Sequence, residues 1–164
     1  MARLRSLAFL AVPVILASSA LALEGGDQAF QKLKSLAGEW ETKTPKGSTL
    51  RVSYKVASKG SVLVETWAPG TTGETLTVFH LDGPYLLATH YCAQGNQPRL
   101  KLKGASGNAY DFEFLDATNL GKPSDSHMTR LRLELVDVDH LTKTETYVED
   151  GKDDVSVLRF SRVR

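Results

Sequence analysis

The chain has 164 residues, one cysteine, and 20 lysines and arginines against 19 aspartates and glutamates, for a formal charge of +1. That balance gives no electrostatic case for nucleic acid or an anionic membrane surface as partner. A lone Cys92 excludes an internal disulfide, so the fold must rest on its core, and the length suits a single domain.

The first 22 residues, MARLRSLAFLAVPVILASSALA, carry Arg3 and Arg5, an apolar run from Leu7 to Ala17, and the small-x-small triplet Ala20-Leu21-Ala22. This is the pattern of a cleaved secretory signal. The run is shorter than the roughly 20 apolar residues of a spanning helix, and Pro13 interrupts it. The expectation is an exported protein, periplasmic or secreted, whose mature domain covers residues 23–164 with no membrane span. Cleavage removes two arginines and no acid, leaving 18 basic against 19 acidic residues and a charge of −1.

Phe30, Leu33, Leu36 and Ala37 recur at helical spacing, with Asp27 in position to cap and Gly38 to stop, which predicts a short helix over 27–37. From Trp40 onward the apolar period changes to two. Short runs rich in Val, Thr, Leu and aromatics alternate with Gly, Pro, Asn and Asp, so the chain is mainly β. Ten strands are predicted, at 38–44, 50–57, 61–68, 74–81, 85–92, 97–103, 109–115, 127–137, 140–149 and 155–163. Ten consecutive strands leave edges that would template aggregation unless the sheet closes, so the predicted fold is a single up-and-down antiparallel β-barrel of about ten strands, its N-terminal helix closing one end. A β-sandwich is the alternative.

The segment LAGEW, with Gly38 and Trp40 directly after a helix, resembles the glycine-x-tryptophan signature that opens the first strand of lipocalins and their calycin relatives. In that family an arginine on the last strand stacks over the tryptophan, and Arg162 in RFSRVR occupies the corresponding place. The chain also resembles exported bacterial proteins of unassigned function with a lipocalin-like domain, several of which carry similar THYC and GNQPR segments. The resemblance implies a barrel with Gly38, Trp40 and Arg162 in structural roles. It implies no activity.

Hairpin loops of such a barrel emerge at alternate ends. PKGS, PGTTG, AQGNQP, DATNLGKPSDS and EDGKDD fall at one end, and the shorter ASKG, DGP, GASGN and the junction at Asp139 at the other. The helix leads into the short-loop end, so the long loops rim a mouth. Alternation places Leu86, Ala88, His90 and Cys92 on one face of their strand, and His127 and Thr129 on the face of Leu131, Leu133 and Leu135. If both faces point inward, His90, Cys92 and His127 converge inside the mouth.

The stretch THYCAQGNQPRL therefore concentrates the candidate site. Gly95 and Asn96 suit a hairpin turn, and Pro98 suits a strand start. Gln97 and Arg99 remain as polar groups that orient a ligand at a rim, although Arg99, alternating with Lys101 and Lys103, also fits a solvent-facing row. A zinc site drawn from His80 fails on distance, because a hairpin across DGP puts His80 and His90 roughly 13 Å apart, far beyond the ~2.3 Å ligand shell of zinc. Thiol catalysis by Cys92 needs a base on its sulfur and an oxyanion hole, and no acid is placed to orient His90 for it.

The expected function is therefore binding of a small, largely apolar molecule in the barrel, with no cofactor. His90, Tyr91, Cys92, Gln97, Arg99 and His127 would line or rim the mouth. The alternative is a metal, haem or thiol-dependent enzyme site built from His90, Cys92 and His127. A third reading is a barrel filled by its own side chains whose loops meet a protein partner.

Overall fold

The period-two alternation and the spaced turn residues build ten antiparallel strands that close on themselves in the order β1-β10-β9-β8-β7-β6-β5-β4-β3-β2. The structure, a computed structural model, describes residues 16–44 and 46–164, with side chains from Gly25 onward. The strands are β1 Gly38–Lys43, β2 Thr49–Ala57, β3 Val62–Trp67, β4 Thr75–Asp82, β5 Tyr85–Tyr91, β6 Gln97–Ser106, β7 Ala109–Thr118, β8 His127–Leu135, β9 His140–Glu149 and β10 Lys152–Arg162. Each pairs with its neighbours in sequence, and β1 meets β10 to close the ring.

Two expected boundaries are corrected. Helix α1 runs over Leu16–Leu33 and passes into a 3₁₀ turn at Lys34–Leu36, so Asp27 lies inside the helix and does not cap it. The segment EDGKDD is a tight turn at Asp150 and Gly151 inside a long hairpin, because β10 begins at Lys152. Residues 1–15 of the expected signal segment lie outside the described residues. Among those described, no helix is long and apolar enough to cross a membrane.

Ala29, Phe30, Leu33 and Leu36 bury one face of the helical segment against the barrel end that carries the short loops. The helix comes so close that a Cβ on Gly26 would stand 2.3 Å from the Pro84 carbonyl oxygen in the β4–β5 turn. Above this plug the lower lumen is filled by Trp40, Leu63, Phe79, Phe112, Leu133, Leu141 and Phe160, all buried in one cluster. Phe79 and Phe112 meet edge to face at 5.8 Å. A closed barrel packed from its own strands needs no disulfide to hold its core. A pocket beside Trp67, His90 and Tyr147 opens at the opposite end, while smaller hollows flank the helical segment at Gly26 and at Ser35.

Candidate functional site

β2, β3, β4, β5 and β9 send polar side chains into the upper half of the lumen, where the apolar filling stops. Alternation along β3 points Leu63, Glu65 and Trp67 inward, and along β9 it points Leu141, Lys143, Glu145 and Tyr147 inward. β9 lies across the lumen from β3, so Lys143 bridges it. Its Nζ donates to Glu65 Oε1 at 2.5 Å and to Glu145 Oε1 at 2.8 Å, and stands 4.8 Å from the centre of the Trp67 ring. The Lys143 and Glu65 side chains are each 1% exposed, and that of Glu145 is 12% exposed. Two carboxylates thus surround one ammonium in a nearly dry site.

Glu65 also accepts from the Tyr54 hydroxyl at 2.6 Å and from the Thr77 hydroxyl at 3.3 Å. Because Thr77 gives its proton to Glu65, its oxygen is left to accept from His90 Nδ1, 3.1 Å away. His90 Nε2 is then the acceptor for the Tyr147 hydroxyl at 3.1 Å. The chain Tyr147–His90–Thr77–Glu65 holds a neutral imidazole with both nitrogens satisfied. Burial, and after it the Lys143 ammonium, keeps the His90 pKa below the ordinary histidine value. Burial works against the Lys143 ammonium, but Glu145 and Glu65 outweigh it and hold its pKa above the usual lysine value. Burial, and then the neighbouring carboxylates, push the phenols of Tyr54 and Tyr147 up.

This network forms the floor of a pocket of about 260 Å³ at the long-loop end, walled by Trp67, Thr75, His90, Cys92, Glu145 and Tyr147, with Gly73, Ala93 and Gln94 at its rim. Cys92 sits half-buried on that wall beside the Tyr147 hydroxyl, and its sulfur donates to Gln94 Oε1 at 3.6 Å. His90 is committed to Thr77 and Tyr147, so no histidine nitrogen serves as base to the thiol. Among the described residues no group of three or more His, Cys, Asp or Glu side chains is placed to hold a metal.

The residues expected at the mouth divide. His90 and Cys92 face inward and meet at the pocket, since His90 pairs with the inward Thr77. Tyr91, Gln97 and Arg99 lie on the outer face instead, with His80 and Thr118 around a separate surface hollow. Gln97 accepts from Thr118 and Asn119, each at 2.7 Å, and Arg99 forms an exposed pair with Asp116. Both tie β6 to the end of β7.

The expected inward placement of His127 is corrected by a β-bulge. Met128 pairs with Tyr147 and Arg130 with Thr146, so Thr129 is the extra residue. Met128 shares the inner face of Tyr147, and His127, opposite Val148, is turned to the other side. There it is buried against Phe114 at 4.8 Å between ring centres, and its Nδ1 bonds the Asp125 carbonyl at 2.7 Å. His80 pairs with Leu87 on the outer face, away from His90.

The turn 92–96 closes through Cys92 N–H to the Asn96 carbonyl and Gly95 N–H to the Cys92 carbonyl, with Gly95 at φ +86°. Asn96 keeps an ordinary φ and reaches the neighbouring loop, donating to the Ser126 carbonyl at 2.8 Å, while Gln94 donates to the Ser126 hydroxyl at 2.9 Å. One wall of the pocket is thereby fastened to the loop before β8.

Glu65, Trp67, Thr77, Lys143, Glu145 and Tyr147 were not singled out by the sequence reading. A signal existed, since VLVETW and HLTKTETYVE place Glu65, Lys143 and Glu145 in phase with Leu63, Trp67, Leu141 and Tyr147. No protein-family model matches the chain, and no curated protein is similar to it in sequence.

Proposed function

We propose that the chain is an exported, lipocalin-like barrel that takes a small, largely apolar molecule into its open end, with one hydrogen-bond-donating or cationic group of that molecule meeting Glu145. Export is supported by the charged-apolar-small pattern of residues 1–22. The lipocalin-like assignment is supported by the closed antiparallel barrel, by the Gly38-x-Trp40 entry from a helix, and by the guanidinium of Arg162 over Trp40.

The observation that carries the binding reading is the pocket wall itself. Trp67, His90 and Tyr147 offer ring surface, and Glu145 is the one charged group of the buried network that also lines the pocket. An acceptor beside aromatic faces favours a donor or a cation attached to an apolar body. A volume of about 260 Å³ admits a small molecule, and the filled lower lumen leaves it no deeper berth.

Protein recovered from its export compartment should begin at Leu23 and, on organic extraction, should release a stoichiometric small molecule seen by mass spectrometry. Returned to the emptied protein, that compound should quench tryptophan fluorescence in wild type but not in Trp67→Phe. It should bind at least tenfold more weakly to Glu145→Gln, a loss of about 1.4 kcal/mol. Protein that releases nothing, and whose fluorescence no small aromatic or alkyl amine alters, overturns the reading.

A further inference from the structure

The barrel is closed unevenly, and the looser seam leaves one strand with an open edge. β10 pairs with β9 along its length, from Lys152 opposite Glu149 to Ser161 opposite His140. On its other side it pairs with β1 only through Arg162 with Trp40 and Ser161 with Glu41. Among the described residues no strand pairs with that side of residues 152–160. In an antiparallel strand alternate residues turn their N–H and C=O groups to each side, so several backbone groups there are free to template another strand.

The exposed part is not guarded as lone edges usually are. Charges stand at its two ends, Lys152, Asp153 and Asp154 at one and Arg159 at the other, and between them lies Val155-Ser156-Val157-Leu158, with Val155 54% and Val157 48% exposed. Such an arrangement is self-complementary.

We propose that this edge of β10 pairs with the same edge of a second copy of the chain, antiparallel and centred on Ser156, joining two barrels through a twofold axis. Residues directly opposite one another across an antiparallel pair share a face, so the outward positions 153, 155, 157 and 159 must meet outward positions of the partner. Three registers with their centre in the valine segment satisfy this. Centred on Val155, Asp153 faces Val157. Centred on Val157, Asp153 faces Ser161 and Val155 faces Arg159.

Only the register centred on Ser156 sets Asp153 opposite Arg159 and Val155 opposite Val157, and the twofold repeats both matches. Asp153 also takes Arg130 of its own chain through Oδ2; Arg130 stands on β8, beyond β9, so the second Arg159 would reach the carboxylate from the opposite, open side. The inference is independent of the ligand pocket, because β10 contributes no residue to it.

Sedimentation equilibrium of the mature protein across micromolar to millimolar concentration should show a monomer–dimer equilibrium. Amide hydrogen exchange should become slower at 152–160 as concentration rises, with other strands unchanged. Asp153→Arg sets arginine against arginine and Arg159→Asp sets aspartate against aspartate, so each should weaken dimerisation at least tenfold. The double variant Asp153→Arg/Arg159→Asp restores opposite charges and should recover it, with circular dichroism showing an intact barrel in all three.

A chain that stays monomeric at every concentration overturns the proposal. So does a dimer whose exchange at 152–160 is unchanged, or one that the double charge exchange fails to rescue. Protection of 152–160 already complete in the monomer means that another part of the same chain covers the edge, which overturns it equally.

Discussion

The guanidinium carbon of Arg162 stands 4.3 Å from the centre of the Trp40 ring, and the two residues are opposite one another across the β1–β10 pair. Arg162 donates to three carbonyls, those of Ser35, Ala37 and Val138, at 2.8, 2.8 and 2.9 Å, while Trp40 Nε1 donates to the Leu36 carbonyl at 2.8 Å. One arginine thus ties the 3₁₀ turn, the first strand and the β8–β9 junction together at the closed end. Gly38, at φ +136°, lies so close that a Cβ there would stand 2.7 Å from Arg162 Nη1.

This geometry sets an order of severity. Trp40→Ala empties a buried ring site and should lower stability by about 3–5 kcal/mol. Gly38→Ala forces a left-handed backbone onto a Cβ and crowds the arginine, and should cost about 1–3 kcal/mol. Arg162→Lys keeps the charge but loses the planar fork that reaches three carbonyls, so lysine should not rescue. Urea unfolding of the three variants measures all of this, and a near-neutral Trp40→Ala would refute the structural role.

The bridge across the lumen should be the most sensitive point of the upper barrel. Lys143→Met leaves Glu65 buried without its cation and should destabilise by about 3–5 kcal/mol. Adding Glu65→Gln removes the stranded charge, so the double variant should be more stable than Lys143→Met alone. Additive losses in that double-mutant cycle would show that the two side chains do not act as a pair.

Acid should weaken the fold through His90. Its folded pKa lies below the ordinary value of 6.5, chiefly through burial and then through Lys143, so below that pH the unfolded chain binds a proton that the folded chain resists. The stability contributed by the neutral imidazole is therefore complete above pH 6.5 and declines as pH falls through it, with a slope approaching about 1.4 kcal/mol per pH unit until the folded pKa is reached. His90→Gln should remove that component. Equal slopes for wild type and variant just below pH 6.5 would contradict the assignment.

Cys92 lines the pocket and is half-buried, so a small thiol reagent should label it in the folded protein. The compound extracted from the native protein should slow the labelling by occupying the same space. Reaction that begins only in denaturant would place the sulfur in the core.

Period-two alternation and the spacing of turn residues determined the ten strands, and the need to bury sheet edges favoured closure into a barrel over a β-sandwich. The helix-to-strand entry at Gly38 and Trp40 and the common face of His90 and Cys92 were also legible, because these are local in sequence or follow from strict alternation along one strand; that the common face points inward was not. The polar floor was not. In HLTKTETYVE both faces carry polar residues, and only closure of the barrel, which brings β9 across from β3, sets Lys143 against a glutamate 78 residues away.

His127 shows the same limit from the other direction. One extra residue at Thr129 turned it out of the lumen, and a bulge exists only relative to the strand it faces. The sequence by itself decided which segments are strands and how they alternate. The tertiary structure alone decided which alternating face meets which, because facing and register are properties of two strands at once.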